Sequence, residues 1–249
     1  MKNKFLNKLV NIFGYKLIEK KHIKNNRILS NSTLLNLKVV LKNIFEKENI
    51  KNLIQIGAND GVSFDDLNYF VRKYKPKSIL IEPIKENFDK LKENYKGCEN
   101  VFFENSAISV DSDIQYLFKV DKRFLNLYGN HIPAISSFDK NHLIRHGVIN
   151  SHIVKEKVNS LTIKNLIDKY QIENLDLFFV DAEGYDGKII YDLLNKSNLN
   201  PIIIFEYIHI DNFFFQKLLN LFLEKNFCYF NISECIIAFP KEKKIEISF

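Results

Sequence analysis

Apolar residues along this chain alternate between short unbroken runs and longer stretches in which they recur every three or four positions. The first kind reads as a buried parallel strand and the second as a helix with one apolar face. Leu53, Ile54 and Ile56 form a short run that enters the turn Gly57-Ala-Asn-Asp-Gly61. Val62, Phe64, Leu67, Phe70 and Val71 follow at helical spacing, which predicts a helix opening directly from the turn and reaching about Tyr74. Strand signals recur at 78–82, 101–104, 175–180 and 201–207, and helix signals at 86–95, 162–170, 187–195 and 212–225. Strands near 227–231 and 235–239, joined at Ser233-Glu234, close the chain as a hairpin. Ahead of the first strand, Leu34, Leu35, Leu37, Val40, Leu41, Ile44 and Phe45 mark a helix whose N-cap is expected in Ser30-Asn-Ser32. This order predicts an α/β fold: a seven-stranded, mostly parallel sheet with one antiparallel strand and helices on both faces.

Two regions break the pattern. Between the third and fourth strands lie about 70 residues, far more than an ordinary crossover. Strand-like 114–118 and 153–158 flank a middle, 119–152, of weak periodicity that includes Tyr128-Gly-Asn-His-Ile-Pro and His142-Leu-Ile-Arg-His-Gly147. Long segments of this kind serve as functional lids, and here one is expected to shape an acceptor site. The other region is the N-terminus. Leu6, Leu9, Val10, Phe13 and Leu17 share a helical face in residues 1–24, with Lys2, Lys4, Lys8 and Lys16 among the polar positions. A basic amphipathic helix can lie on an anionic membrane, pack on its own domain, or join a second subunit in a homodimer. The expected organisation is a basic segment over 1–30 and one domain over 31–249.

Charge sharpens that division. Eight Lys/Arg and one Glu give residues 1–27 a charge of +7, which leaves −1 for the rest of a chain whose total is +6. A nearly neutral body argues against a broad nucleic-acid face. No apolar run reaches the roughly 18 residues of a membrane span, and the N-terminus lacks the apolar core and cleavage site of a signal peptide. The three cysteines, Cys98, Cys228 and Cys235, match no zinc or redox spacing. They read as reduced thiols of a cytoplasmic protein.

Strand, glycine turn and helix together open a nucleotide-binding unit, in which Gly57, Ala58, Asn59 and Gly61 are expected to carry the backbone past a ligand. Read alone, the same glycines could form only a tight turn. The second strand ends in Glu82 and Pro83, with Glu82 placed 25 residues after Gly57, where a doubly wound fold grips ribose hydroxyls. Asn105, Ser106 and Ala107 follow the third strand and are candidates to face an adenine. A nicotinamide cofactor asks for G-x-G-x-x-G, and the middle glycine is missing here. S-adenosylmethionine has no phosphate and tolerates the looser G-x-x-x-G.

Ile56-Gly-Ala-Asn-Asp-Gly61, Ile81-Glu-Pro83 with Phe88 and Leu91, Asn105-Ser-Ala-Ile-Ser109 and Val180-Asp-Ala-Glu-Gly-Tyr-Asp186, in that order and spacing, resemble the FkbM-type methyltransferases. Val158-Asn-Ser-Leu-Thr162 fits the same pattern, and the similarity runs over about 50–240 outside much of the lid. The resemblance implies a Rossmann-like class I methyltransferase fold, S-adenosylmethionine as cofactor, and O-methylation of a hydroxyl on a sugar-containing small molecule. Gln55 departs from it, because many relatives carry an acidic residue there that holds the methionine end of the cofactor.

Methyl transfer from a sulfonium needs in-line alignment and removal of the acceptor's proton. Asp181, Glu183 and Asp186 follow the fourth strand, and Glu206 and His209 end the fifth, on adjacent tips. His209 is expected to act as base, supported by Asp181, Glu206 and Glu183, whose charge should raise its pKa. Asp181 is also expected to reach the cofactor. His131, Ser136 and Ser137 in the lid, with Tyr185 and Asp186, are the expected substrate contacts. A carboxylate-plus-histidine set can also hold a divalent ion, but the spacing matches no metal motif and no metal ligand is assigned. A nucleic-acid amino-methyltransferase would place an aromatic after Pro-Pro at the fourth strand tip, which here reads Asp-Ala-Glu-Gly. Another small-molecule methyltransferase, or a binding protein on the same fold, remains the alternative, and intact Gly57, Gly61 and Glu82 speak against the latter.

Overall fold

A computed structural model describes residues 36–110, 115–129, 132–243 and 245. The expected basic helix 1–24, the Ser30-Asn-Ser32 cap, Leu34, Leu35 and His131 lie outside the described residues. Helix α1 (Leu37–Lys47) begins on Asn36, whose side chain accepts from the Val39 N–H. There follow β1 (Asn52–Ile56), α2 (Asn68–Tyr74), β2 (Lys77–Ile81), α3 (Lys85–Asn94) and β3 (Val101–Glu104). A short β4 (Ala107–Ile108) leads to β5 (Gln115–Val120), β6 (Ser136–Ser137), α4 (Lys140–Arg145), β7 (Ile153–Val158) and β8 (Ser160–Leu161). The remainder is α5 (Ile163–Tyr170), β9 (Leu177–Val180), α6 (Asp186–Lys196), β10 (Ile202–Glu206), α7 (Asn212–Glu224), β11 (Phe227–Ile232) and β12 (Cys235–Pro240).

The main sheet has the order β11-β12-β10-β9-β1-β2-β3, with β12 antiparallel to both neighbours and the other pairs parallel. This is the seven-stranded plan expected for a class I methyltransferase. Alternation along the strands sends side chains to two cores. Ile54, Ile79, Phe178, Ile203 and Phe205 pack against α5, α6 and α7. Leu53, Leu80, Leu177, Ile202 and Ile204 pack against α1, α2 and α3. Central parallel strands buried on both faces are nearly all apolar for this reason.

Two expectations about backbone change. The helix after the glycine turn does not open at Val62. Asp60 Oδ1 accepts from the N–H groups of Val62 and Ser63, and Asp65 Oδ1 from those of Leu67 and Asn68. These side-chain turns compete with helical bonding and hold residues 57–67 as a loop. Val62 and Phe64 are accordingly 55% and 69% exposed. The region read as a lid is a folded unit: β5 pairs antiparallel with both β6 and β7. Val120, Ile132, Ile135, Leu143 and Val148 form a core of its own. Among the described residues no helix is long and apolar enough to cross a membrane. The three cysteines are free thiols.

Candidate functional site

The C-terminal tips of β1, β2, β9 and β10 open on one cleft of about 770 Å³. Such a crevice is where ligands bind in open parallel sheets. Gly57 leaves β1 with φ +78°, and its N–H and that of Ala58 donate to Ile81 O. An added Cβ would stand 1.8 Å from Asp181 O, so glycine alone lets the β1 and β9 tips pass each other. Ala58 and Asn59 continue along the cleft wall.

Glu82 is 4% exposed at the tip of β2, and Pro83 beside it lines the cleft. Glu82 Oε2 accepts from Asn59 N–H at 3.0 Å and Oε1 from Ile84 N–H at 2.9 Å. Burial, only partly offset by those two bonds, pushes its pKa up to about 7. The carboxylate is fixed in place and keeps lone pairs for a diol. Ser106 and Ala107 line the cleft on its β3 side.

Gln55 lies at the cleft floor with its Nε2 donating to Asp65 Oδ1 at 3.3 Å. Gln55 Oε1 and Asp65 Oδ2 are buried without a hydrogen-bond partner. The carboxylate missing at position 55 is thus present ten residues later, on the loop that replaces the expected helix start. Burial raises the Asp65 pKa, and a cation beside it would relieve that cost.

The β9 and β10 tips bring Asp181, Glu183, Glu206 and His209 to the cleft lining, and the C-terminus of α4 brings His146. Asp181 is open to the cleft yet crowded by protein; lost hydration and then the Glu183 charge raise its pKa. Burial, followed by repulsion from Asp181, Glu183 and Glu234, pushes Glu206 up to about 8. His209 Nε2 lies 3.6 Å from Glu206 Oε2. Its pKa moves opposite to expectation, down to about 4, because burial and the adjacent His142, His146 and Arg145 outweigh the carboxylates. His142, 1% exposed, contacts Glu183 Oε2 through Nε2 at 2.7 Å. Burial lowers its pKa too, with the Arg145 charge adding to the effect.

Several expected contacts have other work. Gly61 does not line the cleft. Its missing Cβ makes room for Leu91 and Tyr95 of the neighbouring α3 region, whose atoms would lie 2.5 and 2.6 Å away. Asn105 is not in the cleft lining; its Nδ2 donates to Glu82 O and Pro83 O and braces the β2 tip. Asp186 is fully buried and accepts from the Ala182 and Gly184 N–H groups, shaping the β9 tip. Tyr185 does not line the cleft itself but packs on Phe138, which does. Ser136 lines the cleft, whereas Ser137 Oγ donates to Glu183 O at 3.0 Å and ties the β5–β7 unit to the β9 tip. From sequence, any single one of His131, His142, His146 and His152 reads as a solvated loop histidine, and nothing marks Asp65. The i, i+4 pair His142-x-x-x-His146 was the available signal for those two histidines.

Among solved structures, an O-methyltransferase from Bacillus cereus in complex with SAH is 10% identical, with a TM-score of 0.45, over 88% of this chain and 87% of its own. The methyltransferase FkbM from Methylobacillus flagellatus KT is 10% identical, with a TM-score of 0.44, over 77% of this chain and 44% of its own. A ribosomal protein L11 methylase from Lactobacillus delbrueckii subsp. bulgaricus is 14% identical, with a TM-score of 0.38, over 80% and 75%. No curated protein matches the chain. The model of the methyltransferase FkbM domain matches residues 55–229, from the strand that meets the glycine turn into the closing hairpin. The chain belongs to that family, whose chemistry is methyl transfer from an S-adenosylmethionine-type cofactor.

Proposed function

We propose that the protein is an S-adenosylmethionine-dependent O-methyltransferase acting on a hydroxyl of a sugar-containing small molecule. The observation that carries this reading is the division of one cleft between two sets of groups. Glu82, Asn59 and the Ser106–Ala107 side suit an adenosine. Buried Asp65 Oδ2 and Gln55 Oε1 suit the cofactor's ammonium. The Asp181–Glu206–His209 corner suits a hydroxyl that must lose its proton. The bound cofactor supplies an activated methyl group. The chain's own residues align the acceptor and keep water away, with Leu117, Ile135 and Phe138 of the β5–β7 unit as the apolar wall. The cleft lining sets Asp65, Asp66, Glu82, Asp181, Glu183, Glu206 and Glu234 against the cation of Lys38, an excess of carboxylates even with Glu82 and Glu206 protonated. That excess disfavours a polyphosphate acceptor and fits a neutral glycoside. The test is methyl transfer from labelled S-adenosylmethionine to matched panels of neutral glycosides, nucleotide-sugars and amine acceptors. Labelling confined to the amines would overturn O-methylation, and labelling confined to the nucleotide-sugars would overturn the charge argument.

Glu82→Ala is expected to weaken S-adenosylhomocysteine binding roughly tenfold or more, since hydrogen bonds to a charged group contribute about 1.5–3 kcal/mol. The pKa of about 7 adds a pH dependence. A raised carboxylate pKa means the acid form prevails below it, so affinity should rise as pH passes upward through 7, and this slope should vanish in Glu82→Ala. Calorimetry at a series of pH values checks both. A second expectation concerns the other end of the cofactor. Asp65→Asn keeps the loop's hydrogen-bonding shape but removes the charge, and should weaken S-adenosylhomocysteine about tenfold while leaving binding of 5′-methylthioadenosine, which lacks the ammonium, unchanged. Equal losses for both ligands would show that Asp65 only shapes the loop.

A further inference from the structure

His142, His146, Glu183 and His209 come from three separate segments and converge at the acceptor end of the cleft. One ligand-capable atom of each lies within 4.8 Å of those of the other three. The imidazole centroids are 4.5 Å apart for His142–His209, 4.6 Å for His142–His146 and 5.1 Å for His146–His209. A tetrahedral zinc site with bonds of about 2.0–2.1 Å places neighbouring ligand atoms about 3.3 Å apart, so small side-chain rotations bring all four onto one ion.

The surroundings hold this arrangement in place. His142 is buried on α4, and His146 caps the same helix one turn on, with its N–H donating to His142 O. Glu183 sits at φ +50°, a left-handed conformation uncommon for glutamate, in the turn that leads from β9 to α6. Ser137 Oγ fixes the Glu183 carbonyl, and Glu206 stands 3.6 Å from His209 Nε2 as an outer partner.

We propose that His142, His146, Glu183 and His209 bind one divalent transition-metal ion of the zinc type. Three nitrogens and one carboxylate select for such an ion over magnesium or calcium, which prefer oxygen ligands. Three of the four residues line the cleft, so the ion lies in its wall. Its use in methyl transfer rests on the O-methylation reading: a hydroxyl oxygen reaching that wall would meet a Lewis acid that eases loss of its proton.

The test reads the ion itself. The full chain is stripped with a chelator, dialysed and titrated with Co²⁺ alone, following the visible absorption of a tetrahedral nitrogen–oxygen site, and then with Zn²⁺ as competitor. Equimolar Co²⁺ uptake, displaced by Zn²⁺ and lost in His146→Ala and His209→Ala, is expected. His152→Ala, at a ring stacked on Phe124, should bind as the wild type does. His146 and His209 are only half-buried, so these variants spare the packing that His142→Ala would disturb. Absence of Co²⁺ absorption in the wild type, or its persistence in both variants, would overturn the proposal. A chain that binds Co²⁺ but methylates no hydroxyl keeps the metal site and loses the O-methylation reading. One that methylates hydroxyls but binds no ion does the reverse.

Discussion

Gly57→Ala is expected to abolish detectable S-adenosylhomocysteine binding and to lower the melting temperature. The added methyl would overlap Asp181 O at 1.8 Å, and that oxygen belongs to backbone, which cannot rotate away as a side chain would. Residue 57 also holds φ +78°, where an L-residue is strained. Its N–H and that of Ala58 both donate to Ile81 O, so relaxing the clash pulls apart the β1 and β2 tips as well as β1 and β9. We expect a destabilisation of about 3 kcal/mol or more, in the range of severe single substitutions. For a domain of this size that is a fall in melting temperature on the order of 10 °C. Calorimetric titration and thermal unfolding of the same preparation measure both. Retained affinity and melting temperature would mean that the β1 and β9 tips do not approach closely.

His209→Ala should lower turnover about 10²-fold, the usual lower range for losing a group that assists proton removal, while S-adenosylhomocysteine affinity stays close to wild type. The ring stands at the tip of β10 beside Glu206 and the His142–His146 pair, whereas Glu82 is at the tip of β2 and Asp65 is on the loop after β1. Whether it takes the proton or holds an ion, its loss falls on the acceptor side. Asp181→Ala should reduce both turnover and cofactor affinity, since its loop meets the Gly57 turn. Rates at saturating acceptor, with affinity measured separately, distinguish these outcomes. Near-normal turnover in His209→Ala would remove His209 from the reaction.

The parts of the molecule that the sequence shows best are those fixed by topology. Parallel strands buried on both faces need continuous apolar runs, and once their order is known Gly57, Glu82, Asp181 and Glu206 must end on one edge. The loop 57–67 reads as the start of a helix because Val62, Phe64, Leu67, Phe70 and Val71 keep helical spacing. Nothing in that spacing reveals that Asp60 and Asp65 capture the N–H groups a helix would use. The same capture places Asp65 beside Gln55, so a charge that looked absent at one position sits at another. Strands β5 and β7 are legible as the strand-like 114–118 and 153–158, but their pairing is not, because it is distant, with Leu117 opposite Glu156, and the core residues between them are scattered among polar ones. The histidine cluster combines a visible i, i+4 pair with two groups brought in by neighbouring strand tips, and only the pair leaves a trace in local sequence.

The small core of Val120, Ile132, Ile135, Leu143 and Val148 has a bearing on how this enzyme could change over generations. Much of the acceptor-side wall rides on a unit that maintains its own interior, while the cofactor groups ride on the main sheet. Mutations that retool Ile135 or Ser136 draw on the stability of the smaller unit and leave the Gly57–Asp181 crossing untouched. Drift in acceptor preference is therefore decoupled from drift in cofactor use, and related chains should diverge fastest between β5 and β7.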